Sequence, residues 1–118
     1  MVTFTGDAGF WYHIAEIETA ARWGINVVTV VNNNGGGNQS KRGFDRVYGG
    51  KQTDKARELW TFSKVNFARL AEDMGAVGIR VEQASAFPAA LAQALASNRP
   101  VIIDVVTDIE ALAPTAVS

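Results

Sequence analysis

Val27-Val28-Thr29-Val30-Val31, closed by Asn32-Asn33-Asn34, is a nearly unbroken apolar and β-branched run. A strand with one wet face would alternate polar and apolar residues. This one does not, which is the pattern of a parallel strand covered by helices on both faces. Upstream, Val2-Thr3-Phe4-Thr5 reads as a strand running into the turn Gly6-Asp7-Ala8-Gly9. Between the two, Phe10, Ile14, Ile17 and Ala21 recur at helical spacing and Gly24 stands where a helix would stop, so one helix is predicted over 9–23. Downstream, Asn66 and Gly75 bracket Phe67, Leu70, Ala71 and Met74 as a second helix, followed by a strand over 78–82. Ser85 is placed to cap a third helix carrying Phe87, Leu91, Ala94 and Leu95, with Pro88 harmless in its first turn. Val101 to Val106 is the last strand, and 111–118 reads as a weakly ordered tail.

The stretch 32–60 fits neither period. It opens on Asn32-Asn33-Asn34-Gly35-Gly36-Gly37 and scatters charges from Lys41 to Glu58, and it is read as one long loop on the ligand side. The order strand, helix, strand, loop, helix, strand, helix, strand predicts an α/β fold: a three-layer, doubly wound, mainly parallel sheet with helices on both faces. Its crossovers should be right-handed and its ligands should gather at the carboxyl ends of the strands. The expected domain covers 1–110.

Composition narrows the function classes. A chain of 118 residues with 47% hydrophobic and 19% charged residues suits one globular domain. A net charge of -1 argues against nucleic acid, which is normally met by a basic surface. The absence of cysteine removes disulfides, thiolate metal sites and cysteine nucleophiles. No apolar run approaches the ~18 residues that span a bilayer and no leader pattern opens the chain, so a cytoplasmic protein without a membrane partner is the expectation.

The Gly6 turn ends one strand and the asparagines end the next, so both should emerge on one edge of the sheet. Asp7 would bring a carboxylate, Asn34 an amide oxygen and Gly36 a backbone carbonyl, the hard oxygen donors that Mg²⁺ or Ca²⁺ prefers. The Ala8 and Gly9 amides open a helix and suit an anion, and the glycines let a phosphate approach the backbone. A metal-bound phosphorylated cofactor follows.

These residues resemble the thiamine-diphosphate enzyme family, in which a Gly-Asp-Gly turn precedes Asn-Asn at a similar distance. Here 24 residues, positions 9 to 32, separate Ala8 from Asn33. The flanks are similar to the acetolactate synthase and decarboxylase branch: Ile14, Glu16, Ile17 and Thr19 match its helix, and Phe67 to Ala71, Gly78 to Val81 and Pro100 to Val105 match its C-terminal end. The resemblance implies Asp7, Asn34 and the Gly36 carbonyl as Mg²⁺ ligands, and Gly6, Ala8, Gly9 and Asn33 beside the diphosphate of thiamine diphosphate. It further implies a missing pyrimidine-binding domain or subunit, whose glutamate activates the cofactor. The chain would then be a fragment of a homo-oligomeric enzyme, inactive alone, with no catalytic residue of its own. Ala8 replaces the family's second glycine. At positive φ it would cost about 1–2 kcal/mol.

Other residues read as structural. His13, Glu16 and Glu18 suit a solvated helix, Trp11, Tyr12, Trp23 and Trp60 suit packing or contacts, and Lys41, Arg42, Arg46 and Lys51 suit a solvated loop. Gln39 and Arg42 are the loop's candidates for covering the cofactor. Two other functions compete: a stand-alone binding module without turnover, and a dinucleotide-binding unit. The latter lacks both Gly-x-Gly-x-x-Gly and the acidic ribose ligand.

Overall fold

A computed structural model describes residues 1–111. Its four strands are β1 (Val2–Gly6), β2 (Val28–Asn33), β3 (Val77–Val81) and β4 (Val101–Val106). They form one all-parallel sheet in the order β1-β2-β4-β3. The helices are α1 (Asp7–Trp11), α2 (Glu16–Trp23), α3 (Asn38–Tyr48), α4 (Asp54–Glu58), α5 (Phe67–Asp73) and α6 (Phe87–Ala96).

Side-chain alternation divides the sheet into two faces. Val28, Val30, Val81, Val101 and Ile103 point to one and pack with Ala90 and Ala94 of α6. Val31 and Ile102 point to the other and pack with Phe10, Ile17, Phe67 and Ala71 of α1, α2 and α5. The strand order explains the division. The chain moves one way across the sheet from β1 to β2 to β3, then back to β4, and right-handed crossovers in opposite directions put their helices on opposite faces. The doubly wound three-layer reading therefore stands. α5 lies so close to β3 that a Cβ built on Gly78 would overlap the Ala68 carbonyl. The outer strand is less covered, with Val2 and Phe4 exposed.

Several local expectations need correction. The helix predicted over 9–23 starts at Asp7 and is interrupted over 12–15. There the amides of His13, Glu16 and Ile17 bond three residues back, to Phe10, His13 and Ile14, so the turns tighten between the buried Phe10 and Ile17. The long loop over 32–60 is not one loop, because it contains α3 and α4. On α3, Lys41, Phe44, Asp45 and Tyr48 share one side at helical spacing; since the buried residue is a lysine, an apolar pattern could not disclose it. Ser85 lies in a 3₁₀ turn (Ala84–Ala86), and Ala86, with no side-chain bond, precedes α6. Asn66 does cap α5, accepting from the Arg69 amide at 2.9 Å, and Gly24 ends α2 with φ 62°. Of the tail read over 111–118, only Ala111 lies within the described residues.

Candidate functional site

β1 and β2 pair in parallel with Gly6 opposite Asn32, so the Gly6 turn and the asparagine run leave the sheet side by side. Asp7, the first residue of α1, is only 3% exposed. Its Oδ1 accepts from the Ala8 amide at 2.7 Å, and its Oδ2 accepts from the Gly35 and Gly36 amides at 2.7 and 3.1 Å. Asn34 Oδ1 accepts from the Gly36 amide at 3.2 Å, and the Gly36 carbonyl accepts from the Asn38 amide at 3.1 Å. The three oxygens named from the sequence thus share one backbone hub.

Their remaining capacity tests whether a cation fits. A carboxylate offers about four lone-pair directions and an amide or peptide oxygen two. Three bonds on Asp7 and one each on Asn34 and Gly36 leave all three able to accept further. Asp7 takes part in none of the ion pairs among the described residues. A buried carboxylate held by amides alone, with no cationic side chain, fits a hard divalent cation. No three His, Cys, Asp or Glu side chains cluster among the described residues, so a cation here would combine the Asp7 carboxylate with amide and backbone oxygens.

Gly36 is required by space. It sits opposite Thr61 in a bridge closed on either side by the Gly37 amide donating to the Trp60 carbonyl at 2.7 Å and the Phe62 amide donating to the Gly35 carbonyl at 2.9 Å, and an added Cβ would lie 2.6 Å from the Trp60 carbonyl oxygen. Ala8 carries no strain, because Asn98 is the sole non-glycine residue at positive φ among those described. Its amide, however, is occupied by Asp7, which leaves Gly9 the freer donor in the first turn of α1. Beside Ala8 opens a hollow of about 660 Å³ lined by Trp11, Tyr12, Thr61, Phe62 and Val65. Another groove of about 440 Å³ follows β1 and α2 past His13 and Glu16.

Asn33 behaves differently from its neighbour. Its Nδ2 turns inward, donating to the Val65 carbonyl at 2.9 Å and to Asp104 Oδ1 at 2.8 Å. Asp104 is fully buried, and its Oδ2 also accepts from the Phe67 amide at 2.9 Å and from Arg80 Nη1 at 2.7 Å. The hydrogen bond to Glu82, with the charge of Asp104 behind it, raises the Arg80 pKa against the effect of burial. Asp104 belongs to no motif, and its one signal in the sequence is an acid inside the apolar run Val101-Ile102-Ile103-Asp104-Val105-Val106.

Of the loop candidates, Arg42 donates to Asn38 Oδ1 at 2.8 Å and Gln39 is exposed. Lys41, read as solvated, is instead largely covered: Nζ lies 2.8 Å from both Asp45 and Glu110, above the Trp60 ring. Trp60 Nε1 and Asp45 are joined through Gln52, fixing α3 against the segment that holds Gly36.

Comparison with known proteins identifies the lineage. Residues 1–105 match the family described as "Thiamine pyrophosphate enzyme, C-terminal TPP binding domain". The chain is 31% identical to a 2-hydroxyacyl-CoA lyase of Arabidopsis thaliana, covering 92% of this chain and 19% of that protein. It is 32% identical to the acetolactate synthase isozyme 3 large subunit of Escherichia coli, with the same two coverages. Among solved structures, a thiamine diphosphate-dependent 4-hydroxybenzoylformate decarboxylase of Rhodococcus jostii RHA1 superposes with a TM-score of 0.77 at 31% identity, over 91% of this chain and 19% of that one. The benzoylformate decarboxylase of Polynucleobacter necessarius gives a TM-score of 0.79 at 23% identity, over 96% of this chain and 20% of that one, a likeness of fold. Since the matched profile takes in every strand of the sheet but the last residue of β4, the chain belongs to the thiamine pyrophosphate enzymes, as their C-terminal TPP-binding domain.

Proposed function

We propose that this chain anchors Mg²⁺ and the diphosphate of thiamine diphosphate in a 2-oxo-acid carboligase or decarboxylase of the acetolactate synthase kind. The observation that carries the reading is the shared hub of Asp7, Asn34 and Gly36, whose oxygens keep lone pairs for a metal. Asp7, Asn34 Oδ1 and the Gly36 carbonyl would hold the cation; Gly6, Ala8 and Gly9 would border the diphosphate, with the Gly9 amide as donor. Asn33 would contribute through the placement of its neighbour. When bound, thiamine diphosphate supplies an electron sink for making or breaking a bond next to a carbonyl. This chain's residues bind and orient it, and none is assigned a proton-transfer role.

The chain spans about a fifth of its relatives' length, 19% in the first of them. We therefore assign activation of the cofactor to a pyrimidine-binding domain or subunit outside this stretch, and regard the 118 residues alone as inactive. Exposed Trp11 and Tyr12 beside the hollow next to Ala8 suit contact with that partner. Self-association is part of the same proposal, supported by exposed Val2 and Phe4 on the outer strand.

Calorimetry tests the site. Thiamine diphosphate with Mg²⁺ should give binding heat with the wild type and none with Asp7→Asn, whose far-ultraviolet circular dichroism should remain that of the wild type. Equal heats in the two proteins, or none in the wild type, would remove the site as drawn. Addition of a 2-oxo acid should yield no product; turnover would refute the assignment of activation to another domain.

A further inference from the structure

We infer that Asp104 is a positioning residue for the metal-binding arm, acting through the side-chain amide of Asn33. The inference rests on the metal reading above for its role, but its geometry is independent of any bound group.

The arm Asn34-Gly35-Gly36 begins where β2 ends, so its direction depends on how the last strand residue is held. That residue is Asn33, and both hydrogens of its Nδ2 are assigned: one to the Val65 carbonyl at 2.9 Å, one to Asp104 Oδ1 at 2.8 Å. An amide with both hydrogens engaged has one orientation. Backbone pairing with β4 reaches this residue and ends there. Asn33 is opposite Val106, the last residue of β4, and beyond it the Thr107 amide donates to the Asn33 carbonyl at 3.0 Å. Past that point the arm crosses to Asp7.

Asp104 is suited to the task by its immobility. It is 0% exposed and accepts from three elements at once: β2 through Asn33, α5 through the Phe67 amide, and β3 through Arg80. Isolated burial of a carboxylate is costly, and here every acceptor direction used is aimed at a fixed donor. A neutral amide at this position cannot reproduce the pattern. It has one acceptor oxygen for Asn33, Phe67 and Arg80, and its NH₂ would face donors.

A carboxylate that merely stapled α5 and β3 to the sheet would affect stability without affecting the metal. The two roles separate in a double-mutant cycle, with Arg80→Gln as the control that breaks the ion pair and leaves the Asn33 bond. The full chain is titrated with Mn²⁺ in the presence of thiamine diphosphate, read by electron paramagnetic resonance. Asp104→Asn and Asn33→Ala should each weaken Mn²⁺ roughly 10-fold, the usual cost of losing an outer partner of a metal ligand. The double variant should lose no more than either alone, and Arg80→Gln should melt earlier yet bind within about twofold of the wild type.

The second readout needs no cofactor. In the ¹⁵N-¹H spectrum of the unliganded chain, Asp104→Asn should move the Asn33 side-chain pair and the Gly35 and Gly36 amides and speed their exchange. If those signals stay in place in a folded Asp104→Asn protein, or if the Mn²⁺ losses of the two single variants add, the positioning role is overturned. If the wild type binds no Mn²⁺ while these signals move as described, the metal reading fails and the positioning of the arm stands.

Discussion

Two glycines show how single atoms set this structure. At Gly36 a methyl group would lie 2.6 Å from the Trp60 carbonyl oxygen, so Gly36→Ala must push apart the Gly36 and Thr61 bridge. It should lower Mg²⁺ and cofactor affinity with little change in the sheet. At Gly78 the methyl would overlap the Ala68 carbonyl, so Gly78→Ala should cost at least about 2 kcal/mol in urea unfolding, because strand and helix backbones must separate. The same scale separates what the sequence could disclose from what it could not. That Asp7, Asn34 and Gly36 come together was legible because the turn and the asparagine run end adjacent parallel strands. The inward turn of Asn33 was not, since adjacent asparagines are identical as text and differ only in which side of the strand end they face.

Among the elements, α3 holds the most informative electrostatics. Hydrogen bonds donated by Lys41 and Gln52 lower the Asp45 pKa below its ordinary 3.8, and donating to Asp45 and Glu110 raises the Lys41 pKa above 10.5. A depressed carboxylate contributes stability that is full above its unfolded pKa and is lost as pH falls through the folded one; the raised lysine contributes below 10.5 and loses it as pH rises through its folded value. Thermal melts should therefore show Lys41→Met less stable than wild type at pH 7, with the gap closing as the solution is acidified below pH ~4. A gap independent of pH would assign Lys41 a packing role only. Helix α5 is held differently. Phe67 is 1% exposed and meets Phe10 and Trp11 edge to face at 5.2 and 5.0 Å, so Phe67→Ala should cost roughly 3–5 kcal/mol. Apolar periodicity made α5 and α6 readable in the sequence. It missed α3 because the residue buried there is a lysine, flanked by a half-buried phenylalanine and aspartate.

At the scale of the molecule, the parallel order was legible from the unalternating run in β2, and the layers followed from the handedness of crossovers. What pattern could not fix was the place of β4 between β2 and β3. The exposed outer strand gives a further expectation: sedimentation of the wild type should show concentration-dependent association, and Phe4→Glu should abolish it. The position of β4 has a consequence for how the molecule comes to exist. All proposed ligands lie within the first 36 residues, yet the strand that joins the two halves of the sheet comes from residues 101–106. During synthesis the ligand segment leaves the ribosome long before its support, and the sheet closes only through contacts distant in sequence, which form slowly. For the proposed site, cofactor capture should therefore come after β4 has paired, late in the folding of this sheet.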